Sequence, residues 1–193
     1  MIELHVKHGQ DPQESSKAPV NTLLHEPDAP PQIVFEGTQT WKPSRPRTLV
    51  VACSDGRLQE SVDEFLERRL GVVDYDRLYS PGGPGALAVS SSDIRTDQLR
   101  RELKFLMEAH KIEEIVLLFH GADRTGPEHA VCAHYKRILP GASRSQVAAQ
   151  QHQDAAEALQ VISEIAPRVM VHVYRAEVRG DTSIHFVDLL RRP

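Results

Sequence analysis

The hydrophobic positions of this chain follow two periods that alternate along the sequence. Segments with strand character lie at residues 48–52, 75–79, 115–119 and 169–174. Apolar residues recur at helical spacing over residues 58–70, 92–110 and 145–165. A further helix is predicted from Thr125, because Thr125 and Glu128 have the spacing of a capping box. Residues 184–190 fit either an edge strand or a short helix.

Strands that alternate with helices predict an α/β fold with a mainly parallel central sheet and helices on both faces. Residues 1–47 differ, because prolines recur there at intervals that leave no room for a long helix. We therefore expect residues 1–47 to form a proline-rich N-terminal arm that packs on the domain or on a second subunit. Residues 48–193 are predicted to form a single α/β domain.

The composition is that of an ordinary globular protein. The chain has 193 residues, of which 40% are hydrophobic and 26% charged, and its formal net charge is -4. Without a clustered basic face, no nucleic-acid partner is expected. No apolar run approaches the roughly 20 residues that span a membrane, and the first residues lack the features of a secretory signal. We expect a cytoplasmic protein without a membrane partner.

The most informative stretch is CSDGR at residues 53–57, between the first strand and the first helix. It brings a thiol, a carboxylate and a guanidinium to the carboxyl end of a strand, where open α/β sheets place their ligands. Asp55 lies two residues before Arg57, so the two side chains can form a bidentate pair that keeps the carboxylate ionised. Without such a pair, the stretch would be a turn beside a solvated arginine.

Other candidate groups follow the next strands. A glycine-rich loop at residues 80–85 follows the second strand, and His120 directly follows the third apolar run. In a parallel sheet these groups share one edge with Cys53. Cys132, the only other cysteine, lies twelve residues beyond His120. Two thiolates and one imidazole would form a Zn²⁺ site with an open position, as in catalytic zinc sites.

The CSDGR stretch resembles the Cys-x-Asp-x-Arg motif of the β-class carbonic anhydrases, and the resemblance extends over about residues 48–175. It implies that Cys53 binds zinc and that Asp55 and Arg57 form a dyad beside the metal-bound water. Residues 79–83 are similar to the family's Arg-Asn-Ala-Gly-Gly segment, with Tyr79 and Ser80 in place of Arg and Asn. Residues 114–120 are similar to the family's strand that ends in a zinc-binding histidine.

The resemblance implies a zinc-dependent lyase in which zinc-bound hydroxide hydrates CO₂ reversibly. CO₂ and bicarbonate, or a similar small molecule, would be the substrates, and backbone around Gly82 and Gly83 would line their pocket. The resemblance also implies a homodimer or higher homo-oligomer built partly from the N-terminal arm. The domain of residues 48–193 is thus expected to bind zinc.

The chain departs from the family in the second metal motif. The family has His-x-x-Cys, whereas here Asp123 stands three residues after His120. An insertion could return Cys132 to the metal, which would then be held by Cys53, His120 and Cys132, and we favour this interpretation. Alternatively, His129 and Cys132 could both bind from one helical face, or Asp123 could replace the cysteine.

Other functions stay open because of this departure. A carbonic-anhydrase-like protein could hydrolyse a different small molecule, or bind a ligand without catalysis. A metal-free hydrolase could instead use Cys53 as a nucleophile.

Overall fold

The structure is a computed structural model that describes residues 33–88 and 94–190. The chain divides into two units, residues 1–42 and residues 43–193. In the first unit, the described residues 33–42 form neither helix nor strand. Among the described helices, none is both long and apolar enough to cross a membrane.

The second unit is built on a five-stranded sheet. The first four strands run parallel to one another and the fifth runs antiparallel to the fourth. The order across the sheet is β2-β1-β3-β4-β5, so the chain crosses from one side of β1 to the other after β2. The strands are β1 (Thr48–Cys53), β2 (Asp76–Ser80), β3 (Glu114–Ala122), β4 (Met170–Val178) and β5 (Ile184–Asp188).

Within residues 33–88 and 94–190, four α-helices and three short 3₁₀ turns connect the strands. Helix α1 passes into a π-helical turn at Leu66–Leu70, which ends at the left-handed Gly71 as predicted. The helices are α1 (Gln59–Phe65), α2 (Ile94–His110), α3 (Ala133–Ile138) and α4 (Arg144–Ile165). The 3₁₀ turns are Gly56–Leu58, Gly83–Leu87 and Glu128–Ala130.

The sheet buries both of its faces. Leu49 and Val51 of β1 belong to the larger apolar core, which α2 and α4 cover. Val50 and Ala52 point to the opposite face, where α1 covers a smaller core. Strands buried on both sides explain why β1 and β3 are apolar without alternation. The predicted α/β fold with a mainly parallel sheet and helices on both faces is confirmed.

The predicted helix from Thr125 is wrong. Asp123 Oδ1 accepts hydrogen bonds from the Thr125 and Gly126 backbone N–H groups, and Thr125 Oγ1 accepts one from the Gly180 N–H. The N–H and the hydroxyl oxygen of Thr125 are therefore already bonded and do not form the reciprocal bonds of a capping box with Glu128, and the backbone at Pro127 is extended. A bend and the 3₁₀ turn Glu128–Ala130 follow, and α3 begins only after Cys132.

Strand β3 is longer than predicted. It runs to Ala122, so His120 lies within the strand, where it pairs with Ala176 of β4. Residues 184–190, for which a strand and a helix were both considered, form the edge strand β5. Helix α4 begins after Ser143, whose side chain forms a capping box with Gln146.

Candidate metal centre

Three potential metal ligands meet at the carboxyl edge of the sheet. Cys53 is the last residue of β1, His120 lies near the end of β3, and Cys132 directly precedes α3. One ligand atom from each residue lies within 4.8 Å of the other two. The Sγ atoms of Cys53 and Cys132 are 3.9 Å apart. Tetrahedral zinc with Zn–S bonds of about 2.3 Å separates two sulfurs by about 3.8 Å, so the thiols fit this ion.

The surroundings of the cluster favour a cation. Cys132 is 1% exposed and His120 is 4% exposed. His120 Nε2 is buried and has no hydrogen-bond partner among the described residues, which is a cost that a bound metal ion removes. The hydrogen bond with Cys132 and the nearby His120 both lower the pKa of Cys53. The interaction with Cys53 and burial both raise the pKa of Cys132. Of the two thiols, Cys53 is therefore the one that loses its proton first.

Asp55 and Arg57 form the bidentate pair that their spacing suggested. Arg57 Nε donates to Asp55 Oδ1 at 2.8 Å, and Arg57 Nη2 donates to Asp55 Oδ2 at 2.5 Å. The Arg57 backbone N–H also donates to Oδ1, which places Asp55 at the start of the first 3₁₀ turn. These bonds hold the pKa of Asp55 at about 2, against the opposing effect of burial. Asp55 is thus an ionised and oriented carboxylate.

Arg57 also contacts the second metal motif. Its Nη1 donates to the backbone carbonyl oxygen of His129 at 3.2 Å. One guanidinium therefore connects the turn after β1 with the loop that carries Cys132. Because all three guanidinium nitrogens are engaged, the side chain has a defined position although it is partly exposed.

A cleft of about 180 Å³ opens beside His120, the one cluster residue that lines it. Asp55, Arg57 and His120 contribute polar groups to its wall. The remaining wall is mainly apolar and includes Leu58, Pro127, Ala130, Val178 and Ile184. The cleft can therefore admit a small uncharged molecule to the carboxylate and the histidine.

Gly82 and Gly83 lie behind Cys53. A Cβ on Gly83 would lie 2.7 Å from the Cys53 backbone nitrogen, and Gly83 has a positive φ of 57°. A Cβ on Gly82 would lie 2.6 Å from Cδ2 of His134. Glycine is thus required for close packing. Other described residues form the wall of the 180 Å³ cleft, so the substrate-pocket role of these glycines stays a prediction.

The two alternative ligands lie outside the cluster. Asp123 Oδ1 is occupied by Thr125 and Gly126, and Asp123 lines a different cleft. His129 lies in the 3₁₀ turn and not on a helical face shared with Cys132. Cys132 itself lies directly before α3, in the cluster with Cys53 and His120.

Sequence reasoning missed a residue that supports His120. Gln151 of α4 is 1% exposed, and its Nε2 donates to the His120 backbone carbonyl at 2.9 Å. The sequence spacing could have indicated Gln151, because it lies four residues from both Val147 and Ala155 on the buried face of α4. A polar residue within an apolar stripe indicates a buried hydrogen bond.

The fold and the cluster define a class: an α/β protein with a candidate Cys-His-Cys metal centre at the carboxyl edge of a parallel sheet. Residues 44–181 match the family model described as "Putative carbonic anhydrase", which is more than half of the chain. The chain belongs to this carbonic-anhydrase-like family. The family resemblance that the CSDGR stretch indicated is confirmed.

Individual relatives are distant. An uncharacterised protein of Rickettsia conorii is 25% identical over 140 residues, which cover 69% of this chain and 68% of the relative. The β-carbonic anhydrase CafA of Aspergillus fumigatus is 16% identical with a TM-score of 0.44, covering 77% of this chain and 78% of its own. The β-carbonic anhydrase CcaA is 10% identical with a TM-score of 0.48, and the match covers 77% of this chain and 80% of CcaA.

Proposed function

We propose that this protein is a zinc-dependent carbonic anhydrase that hydrates CO₂ reversibly, with Cys53, His120 and Cys132 as the metal ligands. The observation that carries the proposal is the convergence of the three ligand atoms within 4.8 Å, with His120 and Cys132 buried and Cys53 partly buried, next in sequence to the Asp55–Arg57 pair. Two sulfurs and one nitrogen are a ligand set that zinc prefers, and three protein ligands leave a fourth position open.

The chemistry divides between the metal and the chain. A bound Zn²⁺ would act as a Lewis acid that lowers the pKa of water to about 7. Asp55, held by Arg57, accepts a hydrogen bond from the attacking water and so orients it. The apolar wall of the cleft, which includes Leu58 and Val178, accommodates uncharged CO₂. Buried His120 and Cys132 keep bulk water away from the inner side of the site.

The proposal extends to partners and location. We propose CO₂ and bicarbonate as the small-molecule partners, a homodimer or larger homo-oligomer as the assembly, and the cytoplasm as the location. Exposed apolar side chains in the first unit support self-association, since Phe35 is 82% and Trp41 is 86% exposed. Sedimentation velocity of the full chain should show a dimer or a larger species, and a monomer at all concentrations would contradict this part.

Zinc analysis of the purified protein tests the ligand assignment. We expect about one zinc per chain, lost in Cys53→Ser, His120→Ala and Cys132→Ser. His129→Gln and Asp123→Asn are the matched controls, because these residues are the alternative ligands and both variants should keep their zinc. Full zinc in Cys132→Ser, or loss in either control, would contradict the assignment.

Stopped-flow CO₂ hydration tests the reaction. The zinc-loaded chain should accelerate hydration well above the buffer rate, and Asp55→Asn should lower kcat by a factor of about 100 while zinc content stays constant. A rate no higher than that of buffer would contradict the carbonic anhydrase proposal. Thiol-dependent hydrolysis by zinc-free protein would favour a cysteine nucleophile instead.

A further inference from the structure

A second cleft opens beyond the end of β3, on the side of the sheet that α4 covers. Its volume is about 560 Å³, within the range of roughly 300–1,000 Å³ that is typical of small-molecule sites. Its walls come from the loop after β3, the first turns of α4 and the end of β4. The charged lining consists of Arg124, Arg144, Arg175 and Arg179 with Asp123 and Glu177, which leaves an excess of two positive charges.

One of the arginines is part of the wall. Arg175 is 4% exposed, and its Nε donates to Gln151 Oε1 at 2.8 Å. Its Nη2 donates to the Ala122 carbonyl oxygen at 2.9 Å, and its Nη1 pairs with Glu177. Arg175 and Glu177 therefore neutralise each other, and Arg175 anchors β4 to the end of β3.

The other carboxylate is also occupied. Asp123 Oδ1 accepts from the backbone N–H groups of Thr125 and Gly126, each at 2.7 Å. Its Oδ2 lies 3.4 Å from Arg179 Nε, on a guanidinium that is about half exposed. Asp123 thus fixes the loop and faces Arg179 with one oxygen only. Neither acidic residue is free to bind a cation.

Two arginines, Arg124 and Arg144, use few of their guanidinium N–H groups within the described part of the protein, so most of these groups can bind a ligand. Arg144 Nη1 donates to the Arg124 carbonyl oxygen at 3.3 Å, and its Nε, 3.7 Å from Glu128 Oε2, makes no hydrogen bond among the described residues. The exposed Arg124 forms no ion pair within the described part of the chain. Arg124, Arg144 and Arg179 come from three different elements and all line the cleft.

We propose that this cleft binds the phosphate group of a small molecule, at a site separate from the candidate metal centre. A phosphate dianion matches the excess of two positive charges, and its oxygens accept hydrogen bonds from several directions at once. A planar carboxylate would engage one guanidinium fork. Ser145, in the first turn of the 22-residue helix α4, also lines the cleft. The positive end of the helix dipole therefore lies beside the cleft and favours an anion there.

The two clefts are distinguishable because they use different residues. The cleft at the metal centre is lined by Asp55, Arg57 and His120, none of which lines the arginine cleft. An NMR titration of the full chain with inorganic phosphate, at constant ionic strength, should therefore shift the amide signals of Thr125, Ser145 and Ala148 saturably. Glycerol 3-phosphate serves as a second probe, and tighter binding of this ester than of free phosphate would identify a phosphorylated metabolite as the source.

Substitutions of Arg144 test whether its guanidinium group binds the phosphate. Arg144→Gln should weaken phosphate binding, measured by calorimetry, about tenfold or more, because a charge-assisted hydrogen bond is lost. Arg144→Lys keeps the charge without the fork and should show a smaller loss. Arg68→Gln is the matched control, since Arg68 is an exposed arginine of the π-helical turn that pairs with Glu64.

Two results would overturn the proposal. One is a set of phosphate-dependent shifts confined to the surroundings of Cys53 and Asp55, or no shifts with either probe. The other is equal phosphate affinity in Arg144→Gln and Arg68→Gln, with both variants giving the native amide spectrum. Zinc content is measured on the same samples, so that a failure of the metal proposal is seen separately.

Discussion

The two halves of the candidate metal centre are built from different kinds of contact. The first half, residues 53–57, is continuous in sequence, and its central hydrogen bonds join Asp55 to Arg57 two residues away. The second half, residues 120–132, passes through a bend and a 3₁₀ turn between His120 and Cys132. A half formed by local contacts can be recognised from the sequence, whereas a half formed by distant contacts depends on the whole fold.

The second half is held by β4 and the residues after it. The Asp123 backbone N–H donates to the Val178 carbonyl oxygen at 3.0 Å, which continues the pairing of β3 with β4. Gly126 lies so close to Val178 that an added Cβ would overlap the Val178 carbonyl oxygen. No such contact with β4 constrains Gly56 of the first half, since a Cβ there meets no atom within 4 Å.

Gly126→Ala is expected to have the largest effect. The new methyl group would collide with backbone of β4, which cannot move aside like a flexible side chain. We expect the free energy of unfolding to fall by about 3 kcal/mol and zinc affinity to fall with it, because the loop before Cys132 is displaced. Urea unfolding and zinc titration of the variant measure the two quantities.

Gly56→Ala is the control for this substitution in the first half. A Cβ at Gly56 enters open space, and Gly56 has no positive φ. The free energy of unfolding should change by less than about 1 kcal/mol, with zinc content unchanged. Equal losses in the two variants would contradict the distinction between a local half and a half held by β4.

Arg57→Lys is expected to have a smaller effect, on the connection between the halves. Lysine keeps the charge but cannot bind both oxygens of Asp55 and the His129 carbonyl with one planar group. We expect the dissociation constant for zinc to rise about tenfold, as is typical when a residue supporting the ligands is lost. Competition with a chelator measures it.

Arg68→Lys is the matched control for Arg57→Lys, because Arg68 forms an exposed pair with Glu64. Its zinc affinity should equal that of the unchanged protein. An Arg57→Lys variant with unaltered zinc affinity would show that the two halves hold their positions independently of this guanidinium.

The success of the sequence-based predictions follows the same division. The strand at residues 48–52 and the cap at Gly71 depend on local patterns, and the structure has β1 and the helix end there. The helix predicted from Thr125 failed because Asp123 and Gly180 take the hydrogen-bonding groups of Thr125. Gly180 is 55 residues away, so no local pattern contains this contact. For the same reason the sequence left several ligand sets open at Cys132, whose position beside His120 depends on the folded loop.

The smallest expected effect concerns pH and a buried carboxyl group that lies outside both halves. Asp154 of α4 is 2% exposed and accepts hydrogen bonds from Tyr135 of α3 at 2.5 Å and from Gln150 at 2.8 Å. Burial raises the pKa of Asp154 above its ordinary 3.8, although the hydrogen bonds from Tyr135 and Gln150 oppose the shift. Asp55 of the first half, with a pKa of about 2, stays ionised where Asp154 titrates.

The sign of the pH effect follows from proton binding. Between 3.8 and the raised pKa, folded Asp154 holds a proton that the unfolded chain has released. The contribution of Asp154 to stability is therefore greatest below 3.8 and is lost as the pH rises through the raised pKa. Asp154→Asn removes this titration while still accepting the Tyr135 hydrogen bond. Urea unfolding between about pH 4 and about pH 7 should show a flatter stability profile for the variant, and identical profiles would contradict the raised pKa.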